Sequence, residues 1–556
     1  MRSRIEAILH EAIEAARAAG ELQVENIPDA GIERPREKEH GDWATSIAMR
    51  LAKQAKMNPR AIAEIISAHI PVGDFISSVE IAGPGFINMR LSNAALQGVL
   101  VDARGQGADF GKVDLGKGKR VQVEFVSANP TGPMHVGHGR WAALGNALCN
   151  LLEHAGWDVG REFYINDAGS QMENFAQSVD ARYQQLCGVD AEIPENGYGG
   201  AYVTTIAQRI LDAEGDSWMK ASAEERSSHF KELAYKMMLA HMRDVLASVG
   251  VEFDVWFSER SLYVKGDDGK SAIDRILDEL DSRGMLYGKE DAVWFKTSEL
   301  GDDKDRVLVK SDGSYTYFLP DIAYHQDKFS RGFDRVIDIW GADHHGYIPR
   351  MQAAMATLGH KGQLDVLLGQ LVNLFDNGEL VRMSKCTGEM ITFEELIETV
   401  GADATKYLML RTSSDQTLDF DIAEAKKQDS SNPVYYVQYA HARICSIIRR
   451  SGREINADAD LSLLVHESEL ELMCKISELS EIVEVAARDL APYRLTHYIE
   501  QLAATFHHFY TECQVLGDDE KLTDARLYLA DATRSVLACA LGILGVSAPE
   551  RMTRTE

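Results

Sequence analysis

The stretch Glu124-Phe125-Val126-Ser127-Ala128-Asn129-Pro130-Thr131-Gly132-Pro133-Met134-His135-Val136-Gly137-His138 decides the fold of this chain. It overlaps a run with strand character, residues 121–126, and two prolines and a glycine then break the extended pattern. Apolar residues recur at helical spacing from Val136 to Leu152. The sequence therefore predicts a strand, a loop and a helix in direct succession.

This junction is a natural place for a ligand. In an open α/β sheet the first backbone N–H groups of a helix have no intrahelical partner, and phosphate is well suited to bind them. His135 and His138 lie three residues apart, so they share one face of the first turn, and Gly137 lets a nucleotide approach the backbone. Helix capping or packing is the alternative role for the two histidines, and the pattern alone leaves it open.

The same stretch resembles the HIGH motif of class I aminoacyl-tRNA synthetases, and residues 127–133 resemble its arginyl-tRNA synthetase version. Downstream, Leu380-Val381-Arg382-Met383-Ser384-Lys385 resembles the KMSKS loop, with Arg382 in place of the usual first lysine. The resemblance implies that ATP is bound by His135, Gly137, His138, Met383, Ser384 and Lys385. It implies that the catalytic charge is supplied by His135, His138, Arg382 and Lys385.

The composition is typical of a large cytoplasmic enzyme. A chain of 556 residues exceeds a single core, so about three or four domains are expected. Its seven cysteines are scattered without a Cys-x-x-Cys pair, which argues against a disulfide scaffold or a thiolate zinc site. The amino-terminal residues do not resemble a signal peptide, and no apolar run is long enough to span a membrane.

The net charge of −28 taken alone argues against a nucleic-acid partner, since phosphate contacts require Lys and Arg. Binding depends on the local surface, however, and residues 430–453 contain no Asp or Glu. Several arginines fall within this acid-free stretch. A basic surface for RNA is therefore compatible with an acidic protein.

The predicted fold class is multidomain α/β, with a Rossmann-like parallel-sheet catalytic domain, a small α+β amino-terminal domain and an all-α carboxyl-terminal domain. In the amino-terminal domain the sequence predicts a helix from about Trp43 to Lys56, and in the catalytic domain a strand at Tyr315–Phe318. The predicted boundaries are 1–115, 116–385 with an insertion near 184–250, 386–428 as a connecting segment of helix and loop, and 429–556.

Two further resemblances concern tRNA. Residues 35–53 resemble the extra amino-terminal domain of arginyl-tRNA synthetases, which contacts the outer corner of the tRNA, and residues 432–443 and 544–552 resemble their anticodon-binding domain. Aromatic rings beside arginine are suited to unstacked RNA bases, although a tyrosine stripe can equally belong to a helical core. The predicted tRNA-binding residues are Tyr435, Tyr439, His441, Arg443, Arg449 and Arg450.

A pocket for arginine needs carboxylates that pair with the planar guanidinium and a ring beside it. By resemblance, Glu124, Tyr317 and Asp321 hold the side chain, and Ser127 and Asn129 hold the α-amino and carboxylate end. Asp343 or His344 completes the site. The alternatives are a solvated edge position for Glu124 and helix capping for Asp321 and Asp343.

The implied reaction is the activation of L-arginine by ATP, with Mg²⁺ as part of the substrate complex, and transfer of the arginyl group to the terminal ribose of tRNA(Arg). The chain is expected to be a monomer without a tightly bound cofactor or a metal site. The alternatives are another adenylating synthetase, such as a glutamyl or cysteinyl enzyme, a tRNA-binding paralogue without catalysis, and a zinc hydrolase. The last would use Asp343, His344 and His345 with the two motif histidines as ligands.

Overall fold

The computed structural model describes residues 1–35, 37–381 and 391–552, and it begins with a small α+β domain. Four strands form an antiparallel sheet in the order β1-β2-β4-β3, and α2 and α3 pack against β4. The elements are α1 (Arg2–Ala18), β1 (Ile32–Glu33), β2 (Trp43–Thr45), α2 (Ile47–Ala55), α3 (Pro59–His69), β3 (Ile76–Ala82), β4 (Phe86–Leu91) and α4 (Asn93–Gln106).

The predicted start of the second helix was wrong. Trp43, Ala44 and Thr45 pair with β4 as a strand, and α2 begins only at Ile47. All three strand residues are buried, so packing in the sheet overrides the helical pattern that continues through them.

The catalytic region is built on a five-stranded parallel sheet in the order β12-β11-β5-β6-β7. Its elements are β5 (Arg120–Glu124), α5 (Val136–His154), β6 (Asp158–Ile165), α6 (Ser170–Leu186), α7 (Ala201–Glu214), α8 (Ala223–Ser248), β7 (Val255–Ser258), α9 (Ala272–Ser282), β8 (Leu286–Lys289), β9 (Ala292–Phe295), β10 (Arg306–Val309), α10 (Phe318–Ser330), β11 (Arg335–Gly341), α11 (Ile348–Thr357) and β12 (Leu364–Gly369).

This strand order reverses direction between β5 and β11, which are neighbours in the sheet although most of the catalytic region separates them along the chain. In a doubly wound sheet the crevice beyond the carboxyl ends of such a pair is the expected ligand site. The predicted strand, loop and helix are confirmed as β5, the following loop and α5. The predicted Rossmann-like fold class is likewise confirmed.

Two additions interrupt the sheet. Helices α6, α7 and α8 lie between β6 and β7, with α6 packed on both α7 and α8. The strands β8, β9 and β10 form a small antiparallel sheet before α10. The predicted strand at Tyr315–Phe318 was wrong, because only an isolated bridge joins Tyr315 to Val309 and α10 already begins at Phe318.

A fourth sheet, ordered β14-β13-β15, follows the parallel one. Arg140 of α5 ties this sheet to the catalytic core: its buried guanidinium donates to the carbonyls of Gln370, Ser413 and Gln416 at 2.8–2.9 Å. The elements are β13 (Val372–Asp376), β14 (Glu379–Leu380), α12 (Phe393–Val400), α13 (Ala402–Leu410), β15 (Leu418–Asp421) and α14 (Ile422–Ala425).

The carboxyl-terminal region is helical and also contacts the amino-terminal domain. Arg34 donates to both carboxylate oxygens of Glu481 at 2.9 and 3.0 Å, and Arg104 pairs with Asp531 at 2.7 Å. The helices are α15 (Pro433–Ser451), α16 (Glu467–Ile476), α17 (Leu479–Arg488), α18 (Tyr493–Glu512) and α19 (Glu520–Ile543). No helix in the described part of the chain is long and apolar enough to cross a membrane. The domain boundaries given above stay predictions.

A buried charge cluster joins β5, β11 and α10. Lys328 is fully buried, and its Nζ donates to Glu124 Oε2 at 2.6 Å and to Asp338 Oδ1 at 2.7 Å. His325 lies 2.7 Å from the second oxygen of Asp338. Burial alone would raise the pKa of Asp338, but the charges of Lys328 and His325 outweigh it and hold that pKa at about 2.

Replacing Lys328 by Met should destabilise the protein strongly. The methionine would leave Glu124 buried without a counter-charge and Asp338 with His325 as its remaining partner, a cost of about 3–5 kcal/mol in the free energy of unfolding. Denaturant unfolding of this variant beside Lys361→Met, an exposed lysine, measures the difference. A loss below about 1 kcal/mol, the range of a surface pair, would contradict the cluster's role.

Candidate active site

A cavity of about 330 Å³ opens at the carboxyl ends of β5 and β11. The loop after β5, the first turns of α5 and α10, and the short 3₁₀ helix after β11 meet there. Its walls combine carboxylates, imidazoles and aromatic rings, and the residues that decide its chemistry are Glu124, Ser127, His135, His138, Trp141, Tyr164, Asp321, Tyr324, His325, Asp343, His344 and Tyr347. This convergence at the reversal of strand order is the strongest structural indication of an active site.

The two motif histidines cap α5 with one ring nitrogen each. His135 is the N-cap, and its Nδ1 accepts from the N–H of His138 at 3.4 Å, while His138 Nδ1 accepts from the N–H of His135 at 3.2 Å. The rings stack with their centroids 3.6 Å apart. Because both Nδ1 atoms are acceptors, each neutral ring carries its proton on Nε2. Capping and ligand binding, offered above as alternatives, are therefore compatible.

The segment that begins at residue 391 contacts the motif histidine His135 and its neighbour Met134. Phe393 donates its N–H to the carbonyl of Met134 at 2.8 Å, and His135 forms an isolated bridge with Thr392. A Cβ on Gly139 would lie 2.3 Å from the ring of Phe393, so only glycine allows this contact. The predicted residues Arg382, Met383, Ser384 and Lys385 lie outside the described residues.

Asp321 is a cavity carboxylate and not a helix cap. The N-cap of α10 is Tyr317, so Asp321 is the fourth helical residue, and its Oδ2 accepts a hydrogen bond from Tyr347 at 2.6 Å. The alternative of an N-cap role was therefore wrong. Burial raises the pKa of Asp321 to about 6, although the Tyr347 bond and the charge of His325 oppose the rise. A carboxylate with a raised pKa at a cavity is a candidate functional group.

A second carboxylate, that of Glu259, was not predicted from the sequence. It is buried at the start of the 3₁₀ helix Glu259–Tyr263, and burial together with the charge of Asp321 raises its pKa to about 7. Tyr164, which lines the cavity, contacts it. Glu259 follows β7 in a segment without a recognisable motif, and only its position at a parallel-strand end could have indicated it.

Glu124 and Ser127 line the cavity but are bonded to each other. Ser127 Oγ donates to Glu124 Oε1 at 2.8 Å, and the other oxygen of Glu124 faces Lys328. Glu124 lies on a central strand and is 7% exposed, so the solvated-edge alternative was wrong. Each oxygen of Glu124 is therefore already hydrogen-bonded within the protein, and its predicted contact with the guanidinium of arginine stays a prediction.

Several predicted residues lie at the rim or outside. Tyr317 is 86% exposed, and Asn129 is exposed and donates to Gln171 Oε1 at 2.9 Å. Asp343 and His344 stand at the mouth, 3.7 Å apart, with exposed side chains. Asp343 is no cap either, since the N-cap of its 3₁₀ helix is Gly341. Within residues 1–35, 37–381 and 391–552, no three His, Cys, Asp or Glu side chains are placed to hold a metal ion.

A second candidate surface lies on α15. The rings of Tyr435 and Tyr439 stack at 6.0 Å, and the guanidinium of Arg443 lies over Tyr439 and Tyr510 at 5.5 and 4.6 Å. We call Tyr435, Tyr439 and Arg443 the aromatic stripe. Its residues are half-buried, so they pack on the helical core and still present one side to solvent.

Of the remaining predicted RNA-binding residues, two are exposed and one is buried. Arg449 and Arg450 are exposed at the end of the same helix, and Arg449 donates to the carbonyl of Glu550. His441, however, is 2% exposed, and its Nδ1 lies 2.9 Å from the carbonyl of Pro549. Its predicted RNA contact was therefore wrong, because the carboxyl-terminal segment covers the ring.

Three family models match consecutive parts of the sequence. They are described as the arginyl tRNA synthetase N terminal domain at residues 3–91, the tRNA synthetases class I (R) catalytic domain at residues 100–451, and the DALR anticodon binding domain at residues 437–552. Together they cover the small domain, the parallel sheet and the helix that carries the aromatic stripe.

Individual proteins agree with these matches. The chain is 49% identical to the arginine–tRNA ligase of Heliobacterium modesticaldum over 99% of both chains, and 48% identical to arginine–tRNA ligase 1 of Halalkalibacterium halodurans over 98% of both. The solved arginyl-tRNA synthetase of Thermus thermophilus has the same fold, with a TM-score of 0.74 at 23% identity over 99% of this chain and all of that one.

The histidine geometry predicts a specific tautomer. At about pH 8 the ring ¹⁵N shifts of His135 and His138 should show an unprotonated Nδ1 and a protonated Nε2, since both Nδ1 atoms accept backbone N–H bonds. A protonated Nδ1 on either motif histidine would exclude this capping arrangement.

Proposed function

The chain belongs to the arginyl-tRNA synthetase family and is an arginine–tRNA ligase that uses ATP as a substrate, and we propose that it activates arginine in the cavity between β5 and β11. The observation that carries this assignment is the pair of carboxylates formed by half-buried Asp321 and buried Glu259. Burial raises their pKa values to about 6 and about 7, and neither carboxylate forms an ion pair with another residue in the part of the chain that the structure describes.

In this proposal the guanidinium of arginine supplies that missing cation. Two carboxylates match its planar fork of N–H donors, whereas the point charge of lysine fits such a site poorly. Tyr347 fixes one oxygen of Asp321 and leaves the other for the substrate. Ser127 and Asn129 take the α-amino and carboxylate end, and Tyr317, with Asp343 or His344 at the mouth, closes over the bound arginine.

The ATP phosphates lie at the amino end of α5. There the Nε2–H groups of His135 and His138 and the partial positive charge of the helix face the phosphates, and Gly137 allows a close approach. Met383, Ser384 and Lys385 also bind the nucleotide in this proposal, and Arg382 with Lys385 balances the charge of the leaving group. Mg²⁺ enters with ATP as part of the substrate complex.

The reaction proceeds in two steps. A carboxylate oxygen of arginine attacks the α-phosphorus of ATP, the bond to pyrophosphate breaks, and arginyl-adenylate forms. The terminal ribose hydroxyl of tRNA then attacks the arginyl carbonyl and AMP leaves. No protein nucleophile is needed, so catalysis consists of positioning the reactants and stabilising phosphate charge.

The aromatic stripe and the two exposed arginines of α15 form the anticodon contact in this proposal. Rings that are half-exposed can stack on unpaired bases, and Arg449 and Arg450 can pair with phosphates. The amino-terminal domain contacts the outer corner of the same tRNA(Arg). We further propose that the protein acts as a cytoplasmic monomer, because one chain carries the activation cavity and both tRNA surfaces.

Arginine binding should weaken in acid. Only the ionised carboxylates attract the guanidinium, so the bound state has lower carboxyl pKa values than the free protein. Affinity should therefore be complete above about pH 8, decline as the pH falls through about 7 and then about 6, and be largely lost near pH 5. The measurement is the KM for arginine in pyrophosphate exchange with tRNA present, which should rise as the pH falls.

The matched variant for this experiment is Asp321→Asn. It keeps the shape of the side chain but leaves the guanidinium without its partner, which should raise the arginine KM about 100-fold or more and flatten the acid limb. The ATP KM and the thermal unfolding temperature provide the controls. A normal arginine KM with only a lowered unfolding temperature would refute the arginine-binding role of Asp321.

The tRNA surface can be tested through salt. Replacing Arg449 and Arg450 together by Gln should weaken tRNA binding and reduce the slope of log affinity against log salt by about 1–2, because two phosphate contacts are lost. Arg488→Gln, which removes an exposed arginine of α17, is the control and should leave the slope unchanged. An unchanged slope in the double variant would show that these arginines are only solvated.

A further inference from the structure

The loop after β6 is hydrogen-bonded to the turn that carries Glu259. Asp167 in this loop is 3% exposed. Its Oδ2 accepts from Ser258 Oγ at 2.6 Å, and its Oδ1 accepts from the backbone N–H of Arg260 at 3.1 Å. Ser258 and Arg260 are the sequence neighbours of Glu259, so one buried carboxylate fixes the chain on both sides of it.

Further hydrogen bonds of Arg260 and Asn166 hold the same turn. Arg260 Nε donates to the main-chain carbonyl of Asp167 at 2.8 Å, and the guanidinium reaches Glu232 Oε1 at 2.6 Å. Asn166, in the amide orientation that satisfies both of its partners, donates to Glu259 Oε2 at 2.9 Å. The loop thus contacts the backbone around Glu259 and also its carboxylate.

The turn needs this support from outside. The 3₁₀ helix Glu259–Tyr263 has Ser258 as its N-cap, but Ser258 makes no side-chain cap bond of its own. The N–H of Arg260 would therefore lack a partner, and Asp167 supplies it from another strand end. A carboxylate that pairs with a planar guanidinium tolerates little displacement, so the orientation of this turn matters for binding.

We propose that Asp167 is a positioning residue for arginine binding, which fixes residues 258–260 so that the carboxylate of Glu259 faces the guanidinium. The proposal rests on the proposed role of Glu259 as the second arginine-binding carboxylate. Asp167 itself does not touch the substrate. It acts through Glu259, so its removal should raise the KM for arginine and leave the KM for ATP nearly unchanged.

A double-mutant cycle tests this coupling in the full-length protein with tRNA present. Asp167→Ala removes two hydrogen bonds and should raise the arginine KM about 10-fold or more, with the ATP KM changed less than about 2-fold. Glu259→Gln should raise the arginine KM as well. In the Glu259→Gln background, Asp167→Ala should add less than about 3-fold, because there is no carboxylate left to position.

Three further variants serve as controls. Asp167→Asn can still accept from Arg260 and can donate to Ser258 Oγ, so it should keep the arginine KM within about 3-fold of the wild type. Glu232→Gln removes the outer partner of Arg260 and should have no effect. Ser258→Ala removes only one of the two contacts and should raise the arginine KM about 3-fold or more, which tests the proposal even if Asp167→Ala does not fold.

The outcomes separate the two proposals. A normal arginine KM in Glu259→Gln would overturn both the role of Glu259 and that of Asp167. A raised KM in Glu259→Gln with normal values in Asp167→Ala and Ser258→Ala would overturn only the positioning role. Fully additive effects, or a lower unfolding temperature without a change in the arginine KM, would also overturn it, because either result assigns Asp167 to general stability.

Discussion

The salt bridges of Lys328 hold the two halves of the parallel sheet together where the strand order reverses. Glu124 belongs to the first half and Asp338 to the second, and a single ammonium group on α10 donates to both. Burying these charges is costly, and the cost is offset only because every one of them is paired at short range. The crevice between the halves therefore has a floor of fixed geometry in which both carboxylates are paired with the same lysine.

These pairings bear on the electrostatics of the cavity above them. With Glu124 paired to Lys328, the carboxylates that we propose for the guanidinium are Asp321 and Glu259, whose ionised forms are disfavoured by burial. In the proposed binding mode, a guanidinium relieves this unfavourable free energy when it binds. The proposed selectivity for arginine then follows because neither carboxylate forms an ion pair with a described residue, in contrast to Glu124.

The features that could be predicted from the sequence are those carried by short segments. The strand, loop and helix around His135 follow from local periodicity and turn residues. Asp321 was assigned to the arginine site through the family resemblance, and residues 315–318 do not form the strand expected before it. Glu259 and Lys328 could not be predicted, because their roles arise only when distant strands become neighbours. His441 was misjudged for a related reason: helical spacing does not reveal that the chain terminus folds back over one face.

Arg140 has a consequence for how this architecture can vary. Its buried guanidinium donates to three main-chain carbonyls, those of Gln370, Ser413 and Gln416. These hydrogen bonds do not involve the side chains at the three positions. Substitutions there can accumulate without loosening the joint, whereas an inserted or deleted residue would shift a carbonyl out of reach. The joint is thus tolerant of drift in residue identity and intolerant of changes in loop length.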